Sequence, residues 1–349
     1  MPLSPTPELM RQQNRAMLLQ AIQEQGPISR IDLASLLNLN PATITRIVRM
    51  LMDEGLVIEE GEGENKGAGR KPVLLRFNHR ARLIIGINIA HHQMTGMVAD
   101  LGGNPLSRRT LLLAKKPSAE ALVDLTEELF SENPGFRQRL VTLCIGSEKH
   151  SMDTLYTLRT ELEHQLGLPV SCYDQAVLAA VGEAEVGSMK EQPVFALFYL
   201  GHQSLSCLSI NGQLHTGRLG LAADGRSLAA VVCEDGLMNA YQVANGSSPQ
   251  PPLIFEAARN AAPAAVQAVE MMAAALAQAA AWVKHLAGIQ HVVIAGPWIR
   301  SADPLLPAIR RQLAALTEEA PEIVPAALKT DASLIGAVYM AVRVADTTV

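Results

Sequence analysis

Residues 41–54, PATITRIVRMLMDE, constrain this chain more tightly than any other stretch. Ile44, Ile47, Val48 and Leu51 recur at i, i+3, i+4 and i+7, the spacing of one apolar stripe on an α-helix. Asn40 stands where an N-cap is needed, and Pro41 takes the first helical position, where a missing N–H removes no bond. Gly55 ends the helix. With the stripe turned inward, a rotation of about 100° per residue leaves Ala42, Thr45, Arg46 and Arg49 on the open face and Thr43 at its side.

The flanking segments fit one layout. Glu8 to Gln25 reads as a helix with Leu18, Leu19 and Ile22 on one face, stopped by Gly26-Pro27. Ser29 caps a short helix, Arg30–Leu37, carrying Ile31, Leu33 and Leu36, and Asn38-Leu39-Asn40 makes the turn into the next. Leu56-Val57-Ile58 and Val73–Phe77 read as paired strands. Between them lies GEGENKGAGRKP, a Gly-rich tip with Lys66, Arg70 and Lys71. Together these make a winged helix-turn-helix, with Pro41–Glu54 as a recognition helix for the major groove and the basic tip reaching backbone or minor groove. Arginine makes bidentate contacts to guanine, and threonine serves a phosphate or a thymine methyl. The expected DNA-binding residues are Ala42, Thr43, Thr45, Arg46, Arg49, Lys66, Arg70 and Lys71. Glu59, Glu60, Glu62 and Glu64 dilute the positive charge of the wing, so Arg70 and Lys71 carry most of its weight. A helical protein-interaction domain is the blander alternative, since some winged helices do only that.

Charge is distributed to match. Residues 1–82 hold eleven Lys/Arg against nine Asp/Glu, and the remainder eighteen against twenty-five, within a formal net charge of -5. An aromatic content of 4% argues against a stacking platform for single-stranded nucleic acid. Cys144, Cys172, Cys207 and Cys233 are scattered without a C-x-x-C pair, so neither a disulfide framework nor a metal site is expected. The first residues carry no apolar signal core. The Ala-rich stretch Met271–Val283 is too short to span a bilayer and reads as a buried helix. A cytoplasmic protein without membrane attachment is expected.

Beyond Arg82 apolar strands alternate with helices. Strands are expected at Leu83–Ala90, Met94–Val98, Leu140–Ile145, Pro169–Tyr173, Val194–Leu200, Ser206–Ile210 and His291–Ile294. Helices are expected at Ser118–Ser131, Thr154–Leu166, Ala176–Glu185, Pro304–Leu316 and Ala332–Val342. That alternation means an α/β domain with buried sheets.

Five segments then resemble one family: IGINIAHHQMTGMVADLGGNPL, LGLPVSCYDQAVLAAVGEAEVG, ALFYLGHQSLSCLSINGQLHTGRLGLAADG, HVVIAGPWIRSADPLLPAIRRQL and TDASLIGAVYMAV. The chain resembles ROK family regulators of the NagC/Mlc/XylR type, which fuse a winged helix to a sugar-kinase domain. The resemblance implies an α/β chain: a winged helix-turn-helix at 1–80 and an actin/hexokinase-like (ribonuclease H-like) domain at 81–349, with lobes near 81–185 and 186–349.

The catalytic parts implied by the resemblance are missing. Where kinases of the family carry D-x-G-G-T-K, this chain has Asn88-Ile89-Ala90-His91-His92-Gln93, without the acid and the glycines that approach phosphate. His91 and His92 read as solvent-exposed rather than metal-binding, because adjacent strand residues point opposite ways. Aligning Gly182-Glu183 on the family's Gly-Glu places Gln175, not Asp, at the catalytic base, and glutamine cannot accept a proton. A one-residue slip would put Asp174 there instead, at the cost of an insertion within a helix. The second phosphate loop reads Gly201-His202-Gln203-Ser204-Leu205, and the sugar-contacting G-E-x-G-H reads Ala223-Asp224-Gly225-Arg226-Ser227. Of the zinc motif, Gly236 remains with one buried Cys233, a small hydrophobe rather than a ligand set. The loop that walls the sugar pocket after Leu140–Ile145 is cut to Gly146–Asp153, so that pocket is open, rebuilt or absent.

The expected function is therefore sequence-specific transcriptional regulation, as a repressor of carbohydrate-related genes. The large domain is expected to be non-catalytic and cofactor-free, to form a homodimer or higher homo-oligomer, and to sense a sugar or sugar phosphate through Asp174, Gln175 and Asp224. The partner is a double-stranded operator, read by two heads on successive turns of one DNA face. The alternative is an ATP-dependent sugar kinase with a fused DNA-binding domain.

Overall fold

The computed structural model describes residues 6–63, 71–90, 93–113, 117–147, 152–217, 227–247 and 249–348. The chain divides into two compact units: Met1–Arg82 with Asp100–Gly102, and Leu83–Ala99 with Gly103–Val349.

In the first unit the order is α1 (Pro7–Gln25), β1 (Ile28–Ser29), α2 (Arg30–Leu37), α3 (Pro41–Asp53), β2 (Val57–Glu62) and β3 (Val73–Phe77). Thr6 caps α1, Ser29 caps α2 and Asn40 caps α3, each accepting a backbone N–H that the first turn cannot satisfy. Gly55 follows α3 with φ +73°, a left-handed conformation natural to glycine, and turns the chain into β2. Leu18, Ile22, Leu33, Ile44, Val48, Leu51, Leu56 and Leu75 form the core at 0–1% exposure. Two features depart from the sequence reading. Of the apolar residues on α2 only Leu33 is buried; Ile31 is 72% exposed and Leu36 47%. A third strand, β1, pairs antiparallel with β3 through Ile28↔Leu75 and Ser29↔Leu74, giving a sheet of order β1-β3-β2.

The second unit repeats one topology twice. Strands β4 (Leu83–Ala90), β5 (Gln93–Asp100) and β6 (Pro105–Leu112) lead through α4 (Ala119–Phe130) to β7 (Leu140–Ser147), α5 (Met152–Leu166) and β8 (Val170–Asp174), in the sheet β6-β5-β4-β7-β8. After α6 (Gln175–Glu185), strands β9 (Val194–Tyr199), β10 (Leu205–Ile210) and β11 (Gln213–Gly217) start a second five-stranded sheet. Helices α7 (Leu228–Val232), α8 (Glu234–Asn245), α9 (Pro251–Arg259) and α10 (Pro263–Ala287) then precede β12 (His291–Ala295), α11 (Leu305–Leu316) and β13 (Glu322–Pro325). The second order, β11-β10-β9-β12-β13, copies the first position for position. In each sheet the last two pairings, β4–β7–β8 and β9–β12–β13, are parallel, as crossover helices require. This is the duplicated arrangement of an actin/hexokinase-like domain.

The final helix, α12 (Ala332–Thr348), lies directly against α6 and β4. Small residues permit it: a Cβ at Gly336 would stand 1.7 Å from the Leu178 carbonyl oxygen, and one at Gly182 2.5 Å from that of Ala332. Helix α10 is longer than the sequence reading allowed. Over 25 residues it has the length and apolarity to cross a membrane, but 61% of its most apolar window is buried, and its stripe from Ala265 to Ala281 packs in the second sheet's core. It is a core helix.

Candidate nucleic-acid interface and the interior cleft

On α3 the buried stripe is Ile44, Ile47, Val48 and Leu51, and Ala42, Thr45, Arg46 and Arg49 are exposed, with Thr43 half-buried beside them. Thr45 Oγ1 donates to the Pro41 carbonyl at 2.9 Å, holding the side chain against the helix. Among the described residues, neither Arg46 nor Arg49 has an ion-pair partner, so both guanidinium groups are available to an anionic surface.

The wing treats its acids differently. Glu59 Oε1 meets Arg30 Nη2 at 3.1 Å, and Glu60 Oε1 meets Arg76 Nε at 2.9 Å, so two of the carboxylates that dilute the positive charge are neutralised in place. Lys71 stands 3.9 Å from Glu62, an exposed and weak pair. Lys66 and Arg70 lie outside the described residues.

Helix α1 adds a contribution that the sequence reading missed. Arg11 and Arg15 of α1 wall a hollow of about 170 Å³ together with Arg46. Arg15 is held by Glu54 at 2.5 Å and Arg11 by Glu8 at 3.6 Å. Their spacing of four, which puts both on one helical face, is the signal that could have found them.

In the second unit Asp174 and Gln175, two of the residues expected to form an effector site, have different surroundings. Asp174 is the N-cap of α6, its Oδ1 accepting from Ala176 N at 2.8 Å, and burial pushes its carboxyl above the usual range. Gln175 is 1% exposed. Its Nε2 donates to Asn88 Oδ1 at 2.7 Å and to the Ile89 carbonyl at 2.8 Å, while its Oε1 accepts from the Tyr199 hydroxyl at 2.6 Å. Both amide protons are therefore used, and the side chain bolts β4 of the first sheet to β9 of the second. Asp224, like His91 and His92, lies outside the described residues. Glu183 is fully buried and accepts from Ser188 N and Oγ, Ala327 N and Leu328 N at 2.7–3.1 Å, so it fixes the segment after β13. The Gly-Glu pair singled out in the sequence is thus a packing and fastening device here.

Beside Gln175 opens a cavity of about 700 Å³, which Asn88, Gln175, Tyr199, His202, Glu234 and Trp298 help to line. His202 Nδ1 lies 3.8 Å from Glu234 Oε2. Asp174 is not part of this lining.

Cys233 corrects the sequence reading. It is half-buried rather than buried, and its sulfur caps α8, accepting from Gly236 N at 3.4 Å and donating to the Ala230 carbonyl at 3.3 Å. Burial pushes the thiols of Cys144 and Cys207 up to about 12 and that of Cys172 to about 11, which keeps them protonated and unreactive at neutral pH. Among the described residues no group of three His, Cys, Asp or Glu is placed to hold a metal ion.

Known proteins resemble both units. Residues 11–58 match a winged helix-turn-helix DNA-binding model, and residues 84–344 match the ROK family model. The xylose repressor of Bacillus subtilis is 26% identical over 226 residues, 60% of this chain and 59% of the relative. That of Caldicellulosiruptor bescii is 27% identical over 233 residues, 62% and 58%. The DNA-binding transcriptional dual regulator NagC of Escherichia coli is 33% identical over 100 residues, 29% and 24%. The chain thus spans under three fifths of the length of the curated relatives it matches. Among solved structures, a ROK family transcriptional regulator homologous to the E. coli MLC protein superposes with a TM-score of 0.74 at 21% identity, covering 97% of each chain. The ROK hexokinase of Thermus thermophilus superposes with a TM-score of 0.61 at 21% identity, over 76% of this chain and 99% of that one. With its winged head matched separately and three quarters of its length under one model, the chain belongs to the ROK family.

Proposed function

We propose that this chain is a sequence-specific DNA-binding repressor of carbohydrate-related genes, working in the cytoplasm. The observation that carries the reading is the open face of α3. A capped, well-anchored helix presents Thr45, Arg46 and Arg49 outward, with both arginines unclaimed by any carboxylate among the described residues. The names of the relatives, xylose repressors and a transcriptional regulator, support it. Ala42, Thr43, Thr45, Arg46 and Arg49 make the major-groove contacts, and the wing, with Lys66, Arg70 and Lys71, holds the backbone.

The large domain serves as a non-catalytic body that dimerises, so that two heads reach successive turns of a pseudo-palindromic operator. Phosphotransfer is not part of the reading: Gln175 has no basic atom, both its amide protons are bonded within the protein, and Asp174 is spent on capping a helix. The body also senses a sugar effector.

Operator fragments recovered by genome-wide mapping of bound sites supply the test. Arg46→Ala and Arg49→Ala are each expected to weaken operator binding by about 1–3 kcal/mol when the side chain contacts a base, with relaxed specificity at one position. Unchanged affinity in both variants would sink the assignment of α3.

A further inference from the structure

We infer that α1 is a second DNA-contacting element of the head: the hollow it forms with α3 takes a backbone phosphate of the strand beside the major groove, and Arg11 holds that phosphate. This role rests on the proposed seating of α3 in the groove and extends the interface onto α1.

The major groove of B-DNA is about 12 Å wide and a helix with its side chains is about 10–12 Å across, so α3 fills it. A helix packed against α3 then stands over the sugar-phosphate backbone, where the element beside a recognition helix crosses. Helix α1 is packed in this way. Arg11, Gln12 and Arg15 share the hollow of about 170 Å³ with Arg46, Ile47 and Met50 of α3. That volume falls below the range of small-molecule sites, about 300–1,000 Å³, and suits one anionic group rather than a whole ligand. Arg46 fixes the placement: it belongs both to the open face of α3 and to the wall of the hollow, so the hollow lies at the edge of the DNA-facing surface.

The chemistry of the wall is that of a phosphate contact. It carries three guanidinium groups, and Glu8 is the one carboxylate among its described residues. Glu8 stands 3.6 Å from Arg11 with side chains 69% and 61% exposed, so water screens the pair and leaves Arg11 little committed to it. Arg15, fastened to Glu54 at 2.5 Å, ties α1 to the end of α3 and is a positioning residue. From Leu9 to Gln23 the helix carries no acid, so beyond Glu8 its flank adds no repulsion toward a polyanion. Burial points the same way. Glu8 to Gln13 are exposed, and the first buried side chain described on α1 is Leu18. The first turns of α1 are therefore not spent on the core of the head, and their side chains remain to meet a partner.

Equilibrium binding of the full chain to two duplexes of equal length, one carrying a mapped operator and one not, tests the role across a range of KCl concentrations. Loss of one phosphate contact reduces the slope of log K against log [salt] by about 0.9. Arg11→Ala is expected to lower the slope by that amount on both duplexes. It should weaken both by the same factor, about five-fold near 0.15 M salt, and leave their ratio and the melting temperature unchanged. Arg11→Lys, which keeps the charge, should restore the slope. The role is overturned if Arg11→Ala leaves the slope unaltered, if it weakens binding to the operator alone, or if Arg11→Lys behaves as Arg11→Ala does. A wild-type chain with no preference for the operator removes the sequence-specific reading, while the slope on the plain duplex still decides the role of Arg11. A wild-type chain that prefers the operator, with Arg11→Ala changing nothing, removes the role of Arg11 alone.

Discussion

The open face of α3 and the floor of the interior cleft are both built from polar side chains, and they use them in opposite ways. On α3, Arg46 and Arg49 project from a helix anchored by four buried aliphatic residues and have no ion-pair partner among the described residues. In the cleft, Gln175 sits at the corresponding strategic point, yet its amide is bonded at 2.6–2.8 Å to Asn88, Ile89 and Tyr199. A group that is to act on an external partner must keep bonding capacity in reserve. A group whose capacity is satisfied inside the protein contributes stability and shape. The contrast therefore marks α3 as a surface for recognition and Gln175 as a joint between two sheets.

If the centre of the large unit is a joint, the severest damage comes from prying it open. Gly336→Ala places a methyl 1.7 Å from the Leu178 carbonyl oxygen, which no side-chain rotation relieves. Backbone must move, and a loss of about 3 kcal/mol or more is expected, read as a fall in the urea midpoint. Gln175→Leu should come next. It removes the acceptor of the Tyr199 hydroxyl's bond and the donor to Asn88 Oδ1 and the Ile89 carbonyl, for a cost of about 1–3 kcal/mol. The comparison predicts a double dissociation here. Gln175→Leu lowers the melting temperature and leaves operator affinity alone, whereas Arg46→Ala weakens operator binding and leaves the melting temperature alone. A Gln175→Leu protein of wild-type stability would erase the distinction. Smaller again is Asn40→Ala, which strips the cap of α3 and should cost about 1 kcal/mol in thermal or urea denaturation. Some operator affinity should go with it, because the cap sets the first turn on which Ala42 and Thr43 stand.

The head was legible in the sequence because its signals are local. An N-cap, a proline at the first helical position and an i, i+3, i+4, i+7 stripe fit within fifteen residues, and burial follows them residue for residue. The duplicated sheets were legible in part, as alternation: seven strands of the second unit read as apolar runs, whereas β6 and β11, with mostly outward-facing residues, and the four-residue β13 did not. Three further things were not legible. Strand β1 has two residues, too few for any period, and exists only because Leu74 and Leu75 lie opposite. Ile31 and Leu36 read as part of an apolar face, but α2 is a short helix that buries only Leu33, leaving the rest of the face outside. The bonds of Gln175 join residues 87 and 24 positions apart, and no spacing in the sequence announces them. For the same reason Glu234 and Trp298 were not foreseen beside Asn88, although each is plain once the fold is known.

The gentlest change is the most pointed test of Asp174. Its carboxyl is half-buried and its pKa is raised by desolvation, only partly offset by the bond from Ala176 N. The sign follows from linkage. A carboxyl raised in the folded state binds its proton more tightly there than in the unfolded chain, so protonation favours folding. Its favourable contribution is complete below the unfolded-state pKa and is lost as pH rises through the folded value. Asparagine caps a helix as well as aspartate does and carries no charge to desolvate. Asp174→Asn is therefore expected to match the wild type in acid and to gain on it as the pH is raised through and above the carboxylate range, in urea midpoints taken across that range. A base poised for proton transfer would behave otherwise, since its removal would abolish an activity rather than smooth a stability profile. If Asp174→Asn instead loses stability as pH rises, the carboxylate is stabilised by a partner beyond its helix cap, and Asp174 is then a fastening within the large unit of the same kind as Gln175.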